Sequence, residues 1–371
     1  MVRWQRAVEN MGMKLFADIY RGKRVLVTGH TGFKGSWLSL WLHELGAKVT
    51  GIGLPPESQP NHWDLLNLPT NDQRHDIRDI SAVHLAFNIA QPEIVFHLAA
   101  QPLVRRSYRD PLETWSTNVM GTANLLEACR QAPSVRAVIV ITTDKCYENH
   151  EWPWGYREND RIGGHDPYSA SKAGSELVAA SYRSAFFNAE NSSLLATVRA
   201  GNVIGGGDWS EDRLVPDLVR AVAQNQSLEI RSPLATRPWQ HVLESLSGYL
   251  LLGQCLLQGN KRCAEAWNFG PEPEGNRTVS EVLGKLSAHW PTLRWHVTDK
   301  LQPHEATLLY LDSAKARSNL RWQPVWKFDA ALVRTADWYR AWLEAGNVIS
   351  RQQLVDYITA AAQANIEWAT L

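Results

Sequence analysis

A tyrosine and a lysine stand four residues apart, at Tyr168 and Lys172. This spacing is about one turn of an α-helix, so both side chains are expected on the same helix face. A phenol has a pKa of about 10 and is a poor base at neutral pH. A neighbouring ammonium group favours the phenolate. The pair is therefore predicted to carry a proton to or from a hydroxyl group during its oxidation or reduction.

Three further polar residues, Thr143, Asp144 and Lys145, come directly after the apolar run 137–142. Side chains at the carboxyl ends of parallel strands point into the ligand crevice. Thr143 is placed to hydrogen-bond a reacting hydroxyl, whereas Asp144 and Lys145 add an acid and a base. Elimination of water from a sugar needs such a pair, because one group removes a proton from carbon while another protonates the departing hydroxyl. The alternative for Asp144 and Lys145 is a solvated turn.

A glycine-rich loop at residues 28–35 lies between the apolar run 24–28 and a segment with helical periodicity. Glycines at such a junction permit a sharp turn and let backbone N–H groups approach a pyrophosphate. The position between a first strand and its helix favours dinucleotide binding over a simple strand–helix connection. The predicted cofactor contacts in this loop are Gly29, Thr31, Gly32, Phe33 and Gly35.

The end of the next predicted strand, residues 51–55, lacks the acidic residue that often holds the adenosine ribose, and it lacks an arginine for a 2′-phosphate. These residues therefore do not decide between NAD and NADP. Further on, Asp76 and Ile77 are predicted to lie beside the adenine ring. An exposed acidic turn is the alternative for Asp76.

Strand-like and helical segments alternate through the first 200 residues, and the order is typical of βαβ units. This order predicts an α/β fold, a Rossmann-type doubly wound parallel sheet with a smaller, mixed α/β C-terminal substrate lobe. We expect an N-terminal extension over 1–21, an NAD-binding domain over 22–200, a substrate lobe over 201–345 with an interleaved boundary, and a C-terminal helical tail over 346–371.

Acidic and basic residues balance at 38 each, so the formal net charge is zero. This balance gives no support to a nucleic-acid or anionic-membrane surface. The four cysteines are scattered, so neither a disulfide framework nor a metal site is predicted. The charged N-terminus lacks the apolar core of a signal peptide, and no apolar run approaches a membrane span. A cytoplasmic protein is expected.

Taken together, these motifs resemble the extended short-chain dehydrogenase/reductase family that acts on nucleotide sugars. The resemblance covers residues 22–340. The segments that carry it are 28–35, His97-Leu98-Ala99-Ala100-Gln101, Thr117-Asn118-Val119, Gly121-Thr122, the Tyr168/Lys172 pair and Arg199-Ala200-Gly201-Asn202-Val203. It implies NAD as cofactor, with Leu98, Ala99, Ala100, Asn118, Tyr168 and Lys172 among its contacts. It also implies a homodimer formed through two helices per subunit.

Within that family, Thr143 and Asp144 resemble the dehydratase branch, whose signature is Thr-Asp-Glu. Lys145 departs from this signature, so a neutral lysine with a lowered pKa would serve where relatives use a carboxylate. This departure, with residues 29–37 and 147–149, implies CDP-glucose as the substrate and a 4-keto-6-deoxy sugar as the product. The resemblance assigns proton removal from C5 to Lys145 and protonation of the C6 hydroxyl to Asp144, although the two could share this work.

The second lobe supplies residues where family members hold the sugar and the diphosphate. Guanidinium groups suit such contacts because they bind phosphate oxygens in pairs, although a surface role is the alternative for each arginine. The substrate-binding residues that the resemblance implies are Gln101, Asn202, Arg213, Leu214, Val215, Arg231, Arg237, His241 and Tyr310.

Three other functions stay open on the sequence alone. A dehydratase for dTDP- or GDP-linked sugars would use the same residues, because base selectivity is hard to read from sequence. A nucleotide-sugar epimerase of the same fold would not need Asp144 and Lys145. A non-catalytic NAD-binding protein would tend to lose Tyr168 or Lys172, and both are present.

Overall fold

The structure of the protein is a computed structural model that describes residues 14–190, 192–298 and 308–370. The first thirteen residues of the expected N-terminal extension lie outside this range. Among the described residues, no helix has both the length and the apolar character needed to cross a lipid bilayer.

Strands are short and recur through residue 297. They are β1 (Arg24–Thr28), β2 (Lys48–Gly53), β3 (Asn71–Arg74), β4 (Ile94–His97), β5 (Ala137–Ile141), β6 (Leu194–Ala200), β7 (Val203–Ile204), β8 (Leu228–Ile230), β9 (Thr236–Pro238), β10 (Gln240–His241), β11 (Ala266–Phe269), β12 (Asn276–Thr278) and β13 (Trp295–Val297).

Helices connect the strands, and four further helices follow the last strand among the described residues. They are α1 (Phe33–Glu44), α2 (His62–Leu66), α3 (Ile80–Ala90), α4 (Val104–Arg109), α5 (Pro111–Trp115), α6 (Gly121–Gln131), α7 (Pro167–Ala185), α8 (Leu214–Ala223), α9 (Val242–Leu257), α10 (Val279–His289), α11 (Ala314–Leu320), α12 (Phe328–Ala345), α13 (Ser350–Gln363) and α14 (Glu367–Thr370).

The central sheet has seven strands in the order β11-β6-β5-β4-β1-β2-β3, and every neighbouring pair is parallel. The chain order reverses between β1 and β4, which creates a crevice at their carboxyl ends. Strand β5 is buried at all five positions, as expected for a strand covered by helices on both faces. The predicted doubly wound α/β fold is confirmed.

Two hydrophobic cores cover the faces of this sheet. One core contains side chains of α3, α6 and α7, including Phe87, Leu126 and Ala179. The other contains side chains of α1 and α9, including Trp37 and Leu250. Helix α7, which carries Tyr168 and Lys172, starts where the Asp166 carboxylate accepts a hydrogen bond from the Ser169 N–H at 2.9 Å.

Small sheets form the second lobe, in which β8 pairs with β13 and β9 pairs with β12. Chain beyond residue 200 nevertheless returns to the first lobe, since β11 pairs with β6 in the central sheet. The interleaving of the two lobes is thus visible in the sheet itself, while the domain limits at 200 and 345 stay predictions.

The two chain ends meet on the core around α1. Phe16 is fully buried, and its ring stacks on Trp368 at a centroid distance of 4.9 Å. Tyr357 of α13 is also fully buried. The end of the N-terminal extension and the C-terminal helical tail are therefore parts of one packed core, where the sequence pattern suggested peripheral segments.

Candidate active site

The phosphate loop is shaped by two glycines that admit no side chain. Gly29 has a φ of +70°, and a Cβ there would lie 2.7 Å from the backbone nitrogen of Ala99. A Cβ on Gly35 would lie 2.1 Å from the carbonyl oxygen of Gly29. The loop therefore folds back on itself beside the end of β4 and at the start of α1. Such a glycine-lined helix N-terminus fits a dinucleotide pyrophosphate.

The adenosine side of this loop differs from the sequence expectation. The imidazole of His30 fills the space over β2, since a Cβ on Gly51 would lie 2.3 Å from that ring. Its Nε2 lies 2.7 Å from a carboxylate oxygen of Asp72 on β3. Arg74 of the same strand donates to the carbonyl oxygen of Leu54 at 3.3 Å. The end of β2 has neither an acidic residue nor an arginine of its own. The neighbouring strand β3 supplies both beside it, as Asp72 and Arg74.

The predicted adenine contacts lie on the loop before α3. Asp76 accepts hydrogen bonds from the guanidinium of Arg78, and these hold the pKa of its carboxyl below the ordinary value. Ile77 is buried and lies close to Gly121 at the start of α6. The Ile77 side chain therefore provides apolar surface beside the start of α6, whereas the Asp76 carboxylate is already paired with Arg78.

Residues after β4 hold the loop in position. Thr28 Oγ1 accepts a hydrogen bond from the Ala99 N–H at 3.1 Å, which ties β1 to the Leu98-Ala99-Ala100 turn. Asn118 accepts from the Gln101 N–H at 2.8 Å and donates to the Ser171 hydroxyl at 2.8 Å. The Asn118 amide is therefore engaged by the protein itself, and the structure gives it a positioning role where a direct cofactor contact was predicted.

Tyr168 and Lys172 lie on one face of α7 and both are buried. The ammonium of Lys172 donates to the carbonyl oxygen of Ile141 at 3.1 Å, and burial lowers its pKa to about 8. Burial raises the pKa of Tyr168 to about 12, while a hydrogen bond with Thr143 and the charge of Arg213 act in the opposite direction. In this structure the phenol is therefore protonated at neutral pH.

The residues after β5 form a short turn, Asp144–Cys146, capped by Thr143, whose Oγ1 accepts from the Lys145 N–H at 3.3 Å. The same hydroxyl donates to Oδ1 of Asp144 at 3.0 Å. Asp144 is only 1% exposed, and its Oδ2 has no hydrogen-bond partner among the described residues. Burial raises the pKa of the Asp144 carboxyl, although Lys145, Thr143 and Arg237 oppose this. A buried carboxyl of this kind suits a general acid.

An ion pair beneath the site fixes the ends of β5 and β6. Glu176 of α7 and Arg199 of β6 are both about 4% exposed and are joined by two hydrogen bonds, at 3.0 and 3.1 Å. Burial would raise the pKa of Glu176, but Arg199, Thr142 and Thr197 hold it below the ordinary value. The paired carboxylate therefore fastens the helix that carries Tyr168 to the strand end that carries Thr143.

A cavity of about 970 Å³ joins these groups to the second lobe. A volume of this order accommodates a ligand the size of a nucleotide sugar. Its lining includes Thr143, Asp144, Lys145, Tyr168, Asn202, Arg213, Leu214, Val215, Arg231 and Arg237. The structure thus brings four of the five predicted catalytic residues and six of the nine predicted substrate residues to one chamber.

The arginines of this chamber come from different segments of the chain. Arg213 bonds Asp208 at 3.1 Å, and Arg231 bonds Asp212 at 3.2 Å. Arg105, which the sequence analysis missed, also faces Asp212 at 3.6 Å. Several guanidinium groups at one end of a cavity fit a diphosphate. Arg105 lies in α4, which follows β4, and no sequence motif singled it out.

Three predicted substrate residues lie outside this cavity lining, and their substrate contacts stay predictions. Gln101 donates to Leu103 and Thr114, so its amide holds its own loop. His241 is fully buried, with its ring 4.9 Å from that of Trp326, and burial lowers its pKa to about 3. Tyr310 pairs through its backbone carbonyl with Tyr156, and the neighbouring Leu309 lines the cavity instead.

Comparison with known proteins agrees with this geometry. The family model described as GDP-mannose 4,6 dehydratase matches residues 26–335. A CDP-glucose 4,6-dehydratase of Salmonella typhimurium is 48% identical over 355 residues, which cover 93% of this chain and 99% of that protein. A dTDP-glucose 4,6-dehydratase of Streptomyces antibioticus is 30% identical, with 86% of this chain and 94% of that protein covered.

Two solved structures are similar over most of the chain. DesIV, a dTDP-glucose 4,6-dehydratase of Streptomyces venezuelae solved with NAD and TYD bound, has a TM-score of 0.72 and 25% identity, covering 87% of this chain and 99% of that one. An epimerase of Methanothermobacter thermautotrophicus has a TM-score of 0.78 at 24% identity, covering 91% and 96%, and supports the fold alone.

Proposed function

Because the chain belongs to the GDP-mannose 4,6-dehydratase family of NAD-dependent nucleotide-sugar enzymes, we propose that it converts CDP-glucose into CDP-4-keto-6-deoxyglucose and water. The observation that carries this proposal is the acid–base pair Asp144 and Lys145 in one cavity with Tyr168. An oxidoreductase that only interconverts an alcohol and a ketone has no use for that additional pair. The 48% identity to the Salmonella enzyme favours CDP-glucose over other nucleotide hexoses.

The phosphate loop and the end of β4 would hold NAD, with Gly29, Gly32 and Gly35 leaving room for the pyrophosphate. NAD held there would supply the hydride acceptor for C4 of the sugar and the hydride donor for C6. Thr31 and Phe33 of the same loop, and Asp76 and Ile77 before α3, are the other proposed contacts of NAD. Lys172 would hold the nicotinamide ribose from α7.

Tyr168 acts on the C4 hydroxyl. Its side chain lines the cavity together with Thr143, which lowers the pKa of the phenol. A cationic ligand beside the phenol would favour the phenolate, which offsets the effect of burial on its pKa. Tyr168 then removes the hydroxyl proton as C4 becomes a ketone, while Thr143 orients the sugar oxygen.

Asp144 and Lys145 act in the next step, in which the C5 proton and the C6 hydroxyl are removed. The C4 ketone acidifies the proton on C5, which Lys145 removes as a neutral amine and later returns. Asp144 gives its proton to the C6 oxygen, and the C6–O bond breaks to release water. Burial raises the pKa of the Asp144 carboxyl, which favours the acid form for this step, and the cation of Lys145 stabilises the carboxylate that remains.

The arginine end of the cavity would bind the CDP diphosphate. Arg213, Arg231 and Arg237 each line the cavity, and so does Asn202. Each of the first two already neutralises an aspartate, so diphosphate binding would redistribute those ion pairs. Leu214 and Val215 supply apolar surface at the start of α8.

A homodimer is part of the proposal. Leu112 and Met120 are 80% and 56% exposed, and Trp115 between them is 41% exposed. All three line one shallow groove along α5 and the segment Ser116–Met120 that follows it. A second copy would remove this apolar surface from water. Light scattering is expected to give twice the chain mass, and Leu112→Asp is expected to give monomers.

We further propose that the enzyme works in the cytoplasm. Its charged substrates, NAD and a nucleotide sugar, do not cross membranes unaided. The 4-keto-6-deoxy product would be a precursor for the deoxysugars of bacterial surface polysaccharides such as the O-antigen of lipopolysaccharide.

A substrate panel tests the proposal. Purified protein with NAD is incubated with CDP-, dTDP-, UDP- and GDP-hexoses, and mass spectrometry follows the loss of one water. Loss from CDP-glucose alone is the expected result. Loss from another nucleotide hexose alone would contradict the CDP assignment, and epimerisation without water loss would contradict the role of Asp144 and Lys145.

A further inference from the structure

Asp212 places a negative charge at the arginine end of the chamber, in the loop between β7 and α8. One oxygen of its carboxylate, Oδ1, lies 3.6 Å from Nη1 of Arg105 and 3.2 Å from Nη2 of Arg231. Arg105 belongs to α4 of the first lobe, whereas Arg231 follows β8 in the second lobe. All three side chains line the cavity. A single carboxylate oxygen therefore joins two guanidinium groups that come from different lobes.

The arrangement of the two guanidinium groups suits a phosphate oxygen. Guanidinium groups that converge on one anionic oxygen make the contacts that they also make with phosphate. Arg231 has a further buried nitrogen, Nη1, without a hydrogen-bond partner in the described part of the chain. Buried donors of this kind are normally satisfied. A diphosphate offers more oxygen atoms than a carboxylate and can occupy both nitrogens of Arg231.

The charge of Asp212 opposes the binding of an anion at this end of the cavity. Arg213 is already paired with Asp208 at 3.1 Å, so its charge is also partly neutralised. A diphosphate that reaches Arg105 and Arg231 must displace the Asp212 carboxylate or bind against its repulsion. The carboxylate and the diphosphate are therefore alternative partners for the same two cations.

The backbone of Asp212 lies in the left-handed region, with a φ of +57°. Residues other than glycine rarely adopt this conformation, but aspartate and asparagine do so more readily than most. Asparagine can therefore replace Asp212 with the same backbone preference and nearly the same shape. The replacement removes the charge alone.

We propose that Asp212 competes with the substrate diphosphate for Arg105 and Arg231, and thereby sets the affinity of the enzyme for nucleoside diphosphates. The inference rests on the proposed function and deepens it, since it concerns the same chamber. Substrate and product carry the same diphosphate, so the competition weakens the binding of both. Asp212 thus favours product release at the expense of substrate affinity.

Glu211, the residue before Asp212, provides a matched control. Its carboxylate bonds Arg109 at 2.8 Å, so it joins the same loop to the same helix α4. The Glu211 side chain is 57% exposed, against 30% for Asp212. Neither Glu211 nor Arg109 is among the described residues that line the cavity. If Asp212 only held its loop on α4, Glu211→Gln and Asp212→Asn would have the same effect.

The test measures CDP binding to the NAD-loaded protein by titration calorimetry. We expect Asp212→Asn to lower the Kd of CDP about tenfold, because the two arginines no longer have a competing anion. The KM for CDP-glucose should fall with it, and inhibition by CDP should become stronger. Glu211→Gln should keep the Kd of CDP within about twofold of the wild type, because its ion pair is exposed.

A double-mutant cycle with Arg105 tests which cations are contested. Arg105→Met should raise the Kd of CDP. Asp212→Asn should tighten CDP binding less in the Arg105→Met background than in the wild type, because one of the two contested cations is then missing. Additive effects of the two substitutions would contradict the pairing of Asp212 with Arg105 in this competition.

A Kd of CDP that is unchanged or raised in Asp212→Asn would overturn the inference, and so would equal tightening in Glu211→Gln. If Asp212→Asn does not fold by circular dichroism, Asp212→Gly tolerates the same φ and is expected to give the same result. The measurements are repeated with dTDP. A wild type that binds dTDP more tightly than CDP would contradict the CDP assignment of the proposed function, whereas the effect of Asp212→Asn on dTDP would still decide this inference.

Discussion

The hydroxyl of Thr143 donates to Oδ1 of Asp144 at 3.0 Å, and the same side chain lowers the pKa of the Tyr168 phenol. One side chain therefore connects the group proposed for C4 oxidation with the group proposed for water loss. The connection depends on the turn after β5, where Thr143 caps Asp144–Cys146. Oxidation at C4 and elimination at C6 can thus use one bound substrate pose.

Replacement of Tyr168 by Phe removes the phenol but keeps the buried ring. We expect kcat to fall about 10²- to 10⁴-fold, since general base catalysis at the C4 hydroxyl is lost. The melting temperature and the bound NAD content should change little. Steady-state turnover and an assay of released nucleotide check this. Activity near the wild-type level would contradict the role given to Tyr168.

Replacement of Asp144 by Asn keeps the shape of the side chain and removes the transferable proton. Dehydration of CDP-glucose is expected to slow about 10²- to 10⁴-fold, while C4 oxidation continues. Reduced nicotinamide should therefore accumulate on mixing with CDP-glucose, which stopped-flow absorbance detects. Equal loss of both steps would show that Asp144 does not act specifically in the elimination.

The Glu176–Arg199 pair predicts a stability effect. Glu176→Gln leaves the buried Arg199 without its counter-charge, so the free energy of unfolding should fall by about 3–5 kcal/mol. The matched control is Glu367→Gln, which removes an exposed pair with Arg321 and should change it by less than about 1 kcal/mol. Urea denaturation measures the free energy of unfolding of both variants. Equally small changes in the two would contradict a stabilising role for the Glu176–Arg199 pair.

The same pair predicts the direction of a pH effect. The folded-state pKa of Glu176 lies below the ordinary carboxyl value, because Arg199 and its other donors outweigh burial. Its contribution to stability is therefore present at neutral pH and is lost as pH falls through the folded-state pKa. Urea midpoints of the wild type and Glu176→Gln should converge on acidification, and a constant difference would contradict this.

Gly35→Ala tests the phosphate loop. The new Cβ would lie 2.1 Å from the Gly29 carbonyl oxygen, so the loop must shift. Such overpacking costs about 1–3 kcal/mol, and we expect it to appear as weaker NAD binding in titration calorimetry. Gly284→Ala in α10 is the control, because a Cβ there meets no atom within 4 Å. Unchanged NAD affinity in Gly35→Ala would contradict the assignment of the loop.

Local patterns were sufficient for the buried strands and for the residues at their ends. β1 and β5 are apolar runs followed at once by polar residues, so Thr143 and Asp144 could be placed from the sequence. Strand β3 could not be predicted from the sequence, because its residues Asn71–Arg74 are mostly exposed and polar and show no apolar periodicity. Its contribution beside His30 therefore appears only in the folded sheet.

Tertiary contacts decide which polar residues reach the cavity. Gln101 and His241 were chosen by their neighbours in sequence, but the Gln101 amide bonds Leu103 and the His241 ring is fully buried beside Trp326. Lys34 and Arg105 were not singled out, and only the tertiary fold brings both side chains to the cavity.

The central claim is that hydride leaves C4 and returns to C6 of the same sugar while one water is lost. The most direct measurement uses CDP-glucose with deuterium at C4 and NAD-loaded protein, and follows the product by NMR and mass spectrometry. The account predicts that the deuterium is recovered in the C6 methyl group of a product lighter by one water. Deuterium retained at C4, or lost to solvent without loss of water, would contradict it.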